Sequence, residues 1–130
     1  MQVTNCMTRN PVCIGPREPL KKAGALMAAG GFRQLPVVDG AALVGIITDR
    51  DLRHHDGYLE STLVDAAMTS SPLVIHPDES VEAAAKLIIK HKIGALPVVR
   101  DGLVVGIVST TDLLGALLNV IEATKQILAP

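Results

Sequence analysis

Apolar residues along the chain come in short bursts separated by polar, glycine- and proline-containing turns, and the bursts have two periods. Val81, Ala84, Ala85 and Ile88 recur at i, i+3, i+4 and i+7, the spacing of one buried helix face; Leu20, Ala23, Gly24 and Met27 do the same earlier. Glu18 and Glu79 open these helices, where acidic side chains suit the positive end of the helix dipole, and Asp78 or Ser80 is a candidate N-cap in the later one. The helices should end near Gly30-Gly31 and His91-Lys92. Strand-sized runs surround them: Val12-Cys13-Ile14 and Leu73-Val74-Ile75 before, Leu35–Val38 and Leu96–Val99 after, then Ala42–Ile47 and Leu103–Val108. Turns at Asp39-Gly40 and Arg100-Asp101-Gly102 fold the last two runs of each set into hairpins. Pro36 and Pro97 fall at strand starts, where a missing N–H is tolerated. A further helix begins near Asp49–Asp51 and Thr110–Asp112, so the predicted order is strand, helix, strand, strand, helix, twice over.

The two halves are copies. Shifted by 61 positions, the chain superposes on itself without a gap. Met7-Thr8 falls on Met68-Thr69, Leu35-Pro36-Val37-Val38 on Leu96-Pro97-Val98-Val99, Val44-Gly45-Ile46 on Val105-Gly106-Ile107, and Asp51-Leu52 on Asp112-Leu113. Two copies exclude a long solenoid and predict two like α/β units packed about a pseudo-twofold axis. The units are read as 1–57 and 62–130, joined by the mostly polar stretch from His54 to Thr62. The last helix, about Thr111 to Leu128, is longer than its counterpart, and Leu114, Leu117, Leu118, Ile121 and Leu128 exceed what one small core needs. That surplus predicts a partner-binding face, with an extra core-covering helix as the other reading.

A length of 130 residues suits one compact domain or two very small ones, and 48% hydrophobic with 19% charged residues argues against disorder. Twelve Lys and Arg against 13 Asp and Glu leave a net charge of −1, which provides no basic footprint for nucleic acid. One Phe, one Tyr and no Trp remove the stacking platform for single strands and make the core aliphatic. No apolar run approaches the roughly 20 residues that span a bilayer, and no basic-then-apolar leader opens the chain. Neither nucleic acid nor membrane is an expected partner. Cys6 and Cys13 do not form a C-x-x-C pair and read as reduced thiols of a cytoplasmic protein, a disulfide being the minority reading.

Most repeated residues are apolar, Gly or Pro; the polar exception lies at the end of the third strand. Gly45-Ile46-Ile47-Thr48-Asp49-Arg50-Asp51 matches Gly106-Ile107-Val108-Ser109-Thr110-Thr111-Asp112: Gly, two aliphatics, a hydroxyl, two variable residues, Asp. A strand turning into a helix there exposes amides that attract anions. The hydroxyl can donate to a phosphate or sugar oxygen, and an ionised Asp can accept from a ribose diol. The same pattern also reads as a capping box, and the two roles are compatible. His54-His55-Asp56, His76 and His91 lack metal-ligand spacing. No G-x-S-x-G, Walker or H-E-x-x-H sequence occurs, so neither an enzyme nor a resident cofactor or metal is expected.

Two in-phase copies of Met-Thr-x-x-Pro (Met7, Met68), Leu-Pro-Val-Val (Leu35, Leu96) and the Gly-to-Asp motif resemble a tandem pair of CBS domains, the cystathionine β-synthase regulatory module, over essentially the whole chain. The resemblance implies a disc-like pair whose sheets face each other. It implies two clefts that bind adenosine-containing ligands such as AMP, ADP, ATP, S-adenosylmethionine or NAD-type molecules. Carried onto this sequence, one cleft would use Ile46, Thr48 and Asp51 with Thr69, Val74, Ile93 and Gly94. The other would use Ile107, Ser109 and Asp112 with Thr8, Cys13, Phe32 and Arg33. Arg50 has Thr111 at its counterpart position, which predicts that the Thr48/Asp51 cleft is the better phosphate site; Arg33 would argue otherwise if it reaches the second cleft. The expected function is a free-standing sensor that signals by conformational change, assembled as a homodimer, with an unidentified effector protein as a further partner. A constitutive dimerisation or interaction module with empty clefts is the alternative.

Overall fold

A computed structural model describes residues 1–129. After a 3-10 turn at Val3–Asn5, the elements run β1 (Thr8–Arg9), α1 (Leu20–Gly30), β2 (Gln34–Asp39), β3 (Ala42–Thr48) and α2 (Asp49–Arg53), then α3 (Val64–Ala67), β4 (Thr69–Ser70), α4 (Val81–His91), β5 (Ala95–Arg100), β6 (Leu103–Ser109) and α5 (Thr110–Leu128). Both amphipathic helices start two residues after the acidic residues that announce them. Ser80 caps α4, its hydroxyl accepting from Ala83 N–H at 3.0 Å, while α1 starts behind Pro19. Their apolar stripes bury Leu20, Ala23 and Met27 in one copy and Ala84 and Ile88 in the other. Both helices stop on a left-handed residue: Gly31, at φ 72°, and Lys92, at φ 53°.

The runs Val12-Cys13-Ile14 and Leu73-Val74-Ile75 are not full strands. Each makes only an isolated parallel bridge, Ile14 to Val37 and Ile75 to Val98. Left-handed residues at Asn10 and Ser71 (φ 47° and 48°) bend the chain just upstream. The hairpins form as expected: β2 pairs antiparallel with β3 and β5 with β6, each with a register shift, between Val37 and Val38 and between Val98 and Val99. Pro36 and Pro97 are buried third residues of β2 and β5 rather than first residues. Neither has an amide proton to donate, and their carbonyls accept from Ile14 and Ile75 N–H at 3.0 and 3.1 Å.

Two short strands are absent from the sequence reading. β1 pairs with β6 and β4 with β3, so each repeat lends its opening segment to the other repeat's sheet. Two antiparallel three-stranded halves result, β2-β3-β4 and β5-β6-β1, joined into one six-stranded sheet where Ala42 of β3 pairs with Leu103 of β6. The cores are exchanged in the same way. Ile14, Leu20, Ala23, Met27, Leu35, Val37 and Ile47 pack with Val64 from the second repeat, while Ile75, Ala84, Ile88, Leu96, Val98 and Val108 pack with Val3 from the first. Val3 and Val64 are both fully buried. Backbone bonds complete the crossing: Val3 N–H to Glu79 O at 2.8 Å, Val81 N–H to Met1 O at 3.0 Å, and Val64 N–H to Glu18 O at 2.8 Å.

Candidate functional site

The exchanged segments explain the motif glycines. A Cβ on Gly45 would stand 2.5 Å from Met68 Sδ and 2.8 Å from Thr69 O; one on Gly106 would stand 2.6 Å from Met7 Sδ and 2.9 Å from Thr8 O. A side chain at either position would push the crossing strand off the sheet. The crossing in turn carries Thr69 beside Ile46 and Thr8 beside Ile107.

Where β3 and β6 run into helices, both motifs form complete capping boxes. The Thr48 hydroxyl accepts from Asp51 N–H at 3.3 Å, and Asp51 Oδ2 accepts from Thr48 N–H at 2.8 Å and from its hydroxyl at 3.0 Å. Ser109 and Asp112 repeat this at 3.2, 2.9 and 3.1 Å. The cap occupies one carboxylate oxygen only. Asp51 Oδ1 has no protein donor among the described residues, and Asp112 Oδ1 accepts from the Thr8 hydroxyl at 3.4 Å. A hydroxyl proton can rotate, so Thr48 and Ser109 can donate outward while still accepting from the helix amide.

Each motif opens on a cleft between the two repeats. The first, of about 840 Å3, brings together Ile46, Thr48, Arg50, Asp51, Thr69, Ile93 and Gly94. The second, of about 670 Å3, brings together Thr8, Phe32, Arg33, Ile107, Ser109 and Asp112. Two residues carried over from the resemblance lie off these walls: Leu73 lines the first cleft in place of Val74, and Val12 lines the second in place of Cys13. With a single bridge at Ile14 or Ile75, the strict alternation of a strand does not hold two residues upstream. The Cys13 thiol instead contacts Pro11 O at 3.3 Å. Sequence reasoning also missed Lys92 and His91, which line the first cleft from the end of α4. Their adjacency to Ile93 and Gly94 was the available signal.

The clefts differ in charge. Arg33, Arg50, Arg53 and Lys92 line the first against Asp49 and Asp51, and Arg53 is committed to Asp49 at 3.1 Å. In the second, Arg33 is the one Lys or Arg side chain against Asp112. Arg33 thus lines both. His55 is turned from the first cleft, its Nδ1 2.9 Å from Asp51 O in the helix behind. Both cysteines are free; burial pushes both thiols above their usual pKa, and the Asp112 carboxylate adds to the shift at Cys6.

This architecture has close counterparts. The CBS domain family profile matches residues 3–57 and again 64–119. The acetoin utilization protein AcuB of Vibrio cholerae superposes with a TM-score of 0.86 at 30% identity, over 97% of this chain and 96% of that one. CBSX2 in complex with AMP gives 0.84 at 30% identity (92% and 97% covered). The CBS domain pair of protein MJ0100 in complex with 5′-methylthioadenosine and S-adenosyl-L-methionine gives 0.84 at 28% (90% and 99% covered). Among curated proteins, inosine-5′-monophosphate dehydrogenases of Korarchaeum cryptofilum and Staphylococcus aureus are 34% and 35% identical over 80% and 84% of this chain. The chain spans only 22–23% of those enzymes' length, and the match covers their CBS part and not a catalytic domain. No helix among the described residues is long and apolar enough to cross a membrane. With the family profile met twice in register with the repeat, and with the pair superposing on whole solved relatives, the chain belongs to the CBS domain family as a tandem pair.

Proposed function

We propose that this chain is a regulatory module that binds adenosine-containing ligands in its two clefts and signals by settling the relative placement of its repeats. The supporting observation is the doubled motif: each cleft is lined by an Asp whose Oδ2 caps a helix, which leaves Oδ1 outside the cap beside a rotatable hydroxyl at the start of that helix. A ribose diol can share that carboxylate, Ile46 with Ile93 and Ile107 with Phe32 offer apolar walls for an adenine, and phosphates would meet cations in the first cleft. The bound AMP, methylthioadenosine and S-adenosylmethionine of the solved relatives favour the same ligand class. The surplus of uncommitted cations makes the Thr48/Asp51 cleft the phosphate-preferring one. Two free, protonated thiols suit a reducing, cytoplasmic setting.

The test is a thermal-shift panel with AMP, ADP, ATP, S-adenosylmethionine and NAD on the wild type, Asp51→Ala and Asp112→Ala. A ligand at 100 times its dissociation constant adds about 2.7 kcal/mol. Each substitution also removes a capping partner worth about 1 kcal/mol, so ligand increments are read against each variant's own baseline. Increments should shrink in both single variants and vanish in the double variant; a full increment in the double variant refutes the assignment.

A second reading has its own observation. On α5 only Ala116 is buried, while Leu114, Leu117, Leu118, Val120 and Ile121 stand 39–59% exposed. An apolar stripe of this size suits a homodimer contact or an effector surface. Under the alternative function the module dimerises constitutively with empty clefts. Light scattering on the chain and on a version lacking residues 119–130 tests the dimer: the deletion should yield monomers. Dimers together with silence across the nucleotide panel favour the alternative.

A further inference from the structure

Position 33 breaks the symmetry of the pair where the two clefts meet. The Arg33 carbonyl accepts from Asp49 N–H at 2.8 Å, which ties its backbone to the start of α2. The matching Gly94 carbonyl accepts from Thr110 N–H at 3.0 Å at the start of α5. Both residues line both clefts. A symmetric pair would supply a cation from each side; this chain supplies one. Arg9, Arg17, Arg53 and Arg100 have hydrogen-bonded or ion-paired protein partners, whereas the exposed Arg33 guanidinium has none among the described residues.

The consequences for the clefts are unequal. The first keeps Arg50 and Lys92 wherever Arg33 points. The second, without Arg33, retains Asp112 as its one ionised lining side chain. With the first cleft empty, Arg50 and Lys92 repel Arg33 and Asp112 attracts it. A phosphate in the first cleft reverses that field and offers a bidentate acceptor. We propose that Arg33 is a guanidinium shared between the clefts, so that a phosphate-bearing adenosyl ligand in the Thr48/Asp51 cleft recruits it and leaves the Ser109/Asp112 cleft selective for adenosyl ligands without phosphate. The proposal rests on the adenosyl-binding reading above and adds to it a coupling between the sites. By linkage the effect is reciprocal: phosphate in the second cleft weakens phosphate binding in the first by the same factor.

Ile46 and Ile107 each line a single cleft, so their δ1 methyls report the two sites separately in 13C-methyl NMR of the whole chain. AMP and adenosine serve as probes with and without phosphate. AMP should half-saturate the Ile46 signal at a concentration about tenfold below that for Ile107, while adenosine midpoints stay within about threefold of each other. Arg33→Ala should leave AMP no tighter than adenosine at Ile107, as in the wild type with its first cleft filled, and should keep a preference for AMP at Ile46, where Arg50 remains. Asp51→Asn, which disables the first cleft, should tighten AMP at Ile107 several-fold by releasing Arg33. Gly94→Arg should draw the two AMP midpoints together; a Cβ there meets Gln34 Oε1 at 3.5 Å, ordinary contact, so the side chain is sterically admitted. Adenosine midpoints at Ile107 should stay put in Arg33→Ala and Gly94→Arg. An AMP midpoint at Ile107 that Asp51→Asn leaves unchanged, or that Asp51→Asn tightens just as much when Arg33 is also replaced by Ala, overturns the shared arginine while adenosyl binding stands. Methyls that respond to neither probe overturn adenosyl binding and the coupling with it.

Discussion

At the scale of single residues, the Thr48–Asp51 and Ser109–Asp112 pairs leave room for a second duty beside the cap, because a carboxylate has two oxygens and the helix cap takes only one. Spacing alone pointed to these four residues and to their capping boxes, which the structure forms; ligand binding by them is what we propose. Val74 and Cys13 lie beside the cleft walls, where Leu73 and Val12 stand; both runs follow a left-handed residue, Ser71 or Asn10, a local bend that composition does not encode. The thiols give a further expectation. Cys6 and Cys13 both hold their protons more tightly in the fold than in the unfolded chain. Their contribution to stability is therefore complete below the ordinary thiol pKa and is lost as pH rises through the raised values. Iodoacetamide should modify both more slowly at neutral pH than it modifies the denatured chain, with the gap closing in alkali; equal rates by mass spectrometry would contradict this.

At the scale of elements, the helices and hairpins were legible because their periods and turn residues are local: Ser80 before the α4 stripe, Asp101-Gly102 between β5 and β6. The two-residue strands β1 and β4 were not legible, since their partners lie some hundred and some twenty residues away in the chain and nothing in Thr8-Arg9 names β6. Helix ends offer a quantitative contrast. α1 stops on Gly31, at no steric cost, whereas α4 stops on Lys92 in the same left-handed region, which costs a side-chain-bearing residue about 1 kcal/mol. Lys92→Gly should raise the free energy of unfolding in urea accordingly, by something under about 1 kcal/mol once the added freedom of the unfolded glycine is counted. It should also weaken AMP more than adenosine, because Lys92 lines the first cleft. A destabilised variant would mean that Lys92 makes a contact beyond its cap.

At the scale of the whole molecule, the sequence repeat and the packing unit do not coincide. Nothing in the repeat pattern says which core Val3 and Val64 join, and each lies in the other repeat's. Neither half owns a complete interior, so the chain should unfold in one transition with coincident fluorescence-independent probes such as circular dichroism and methyl NMR. Residues 1–57 expressed alone, without Val64 and β4, should lack native chemical-shift dispersion. Pieces 1–61 and 62–130 made as separate polypeptides should regain it on mixing; failure to combine would show that the covalent link, not the crossing, holds the halves. The crossing also bears on descent. A single-copy forerunner could have closed its interior only by trading its first residues with a sister chain, and tandem duplication would then have turned an obligate two-chain embrace into a monomolecular one, freeing the two copies to diverge in charge as Arg33 and Gly94 have done.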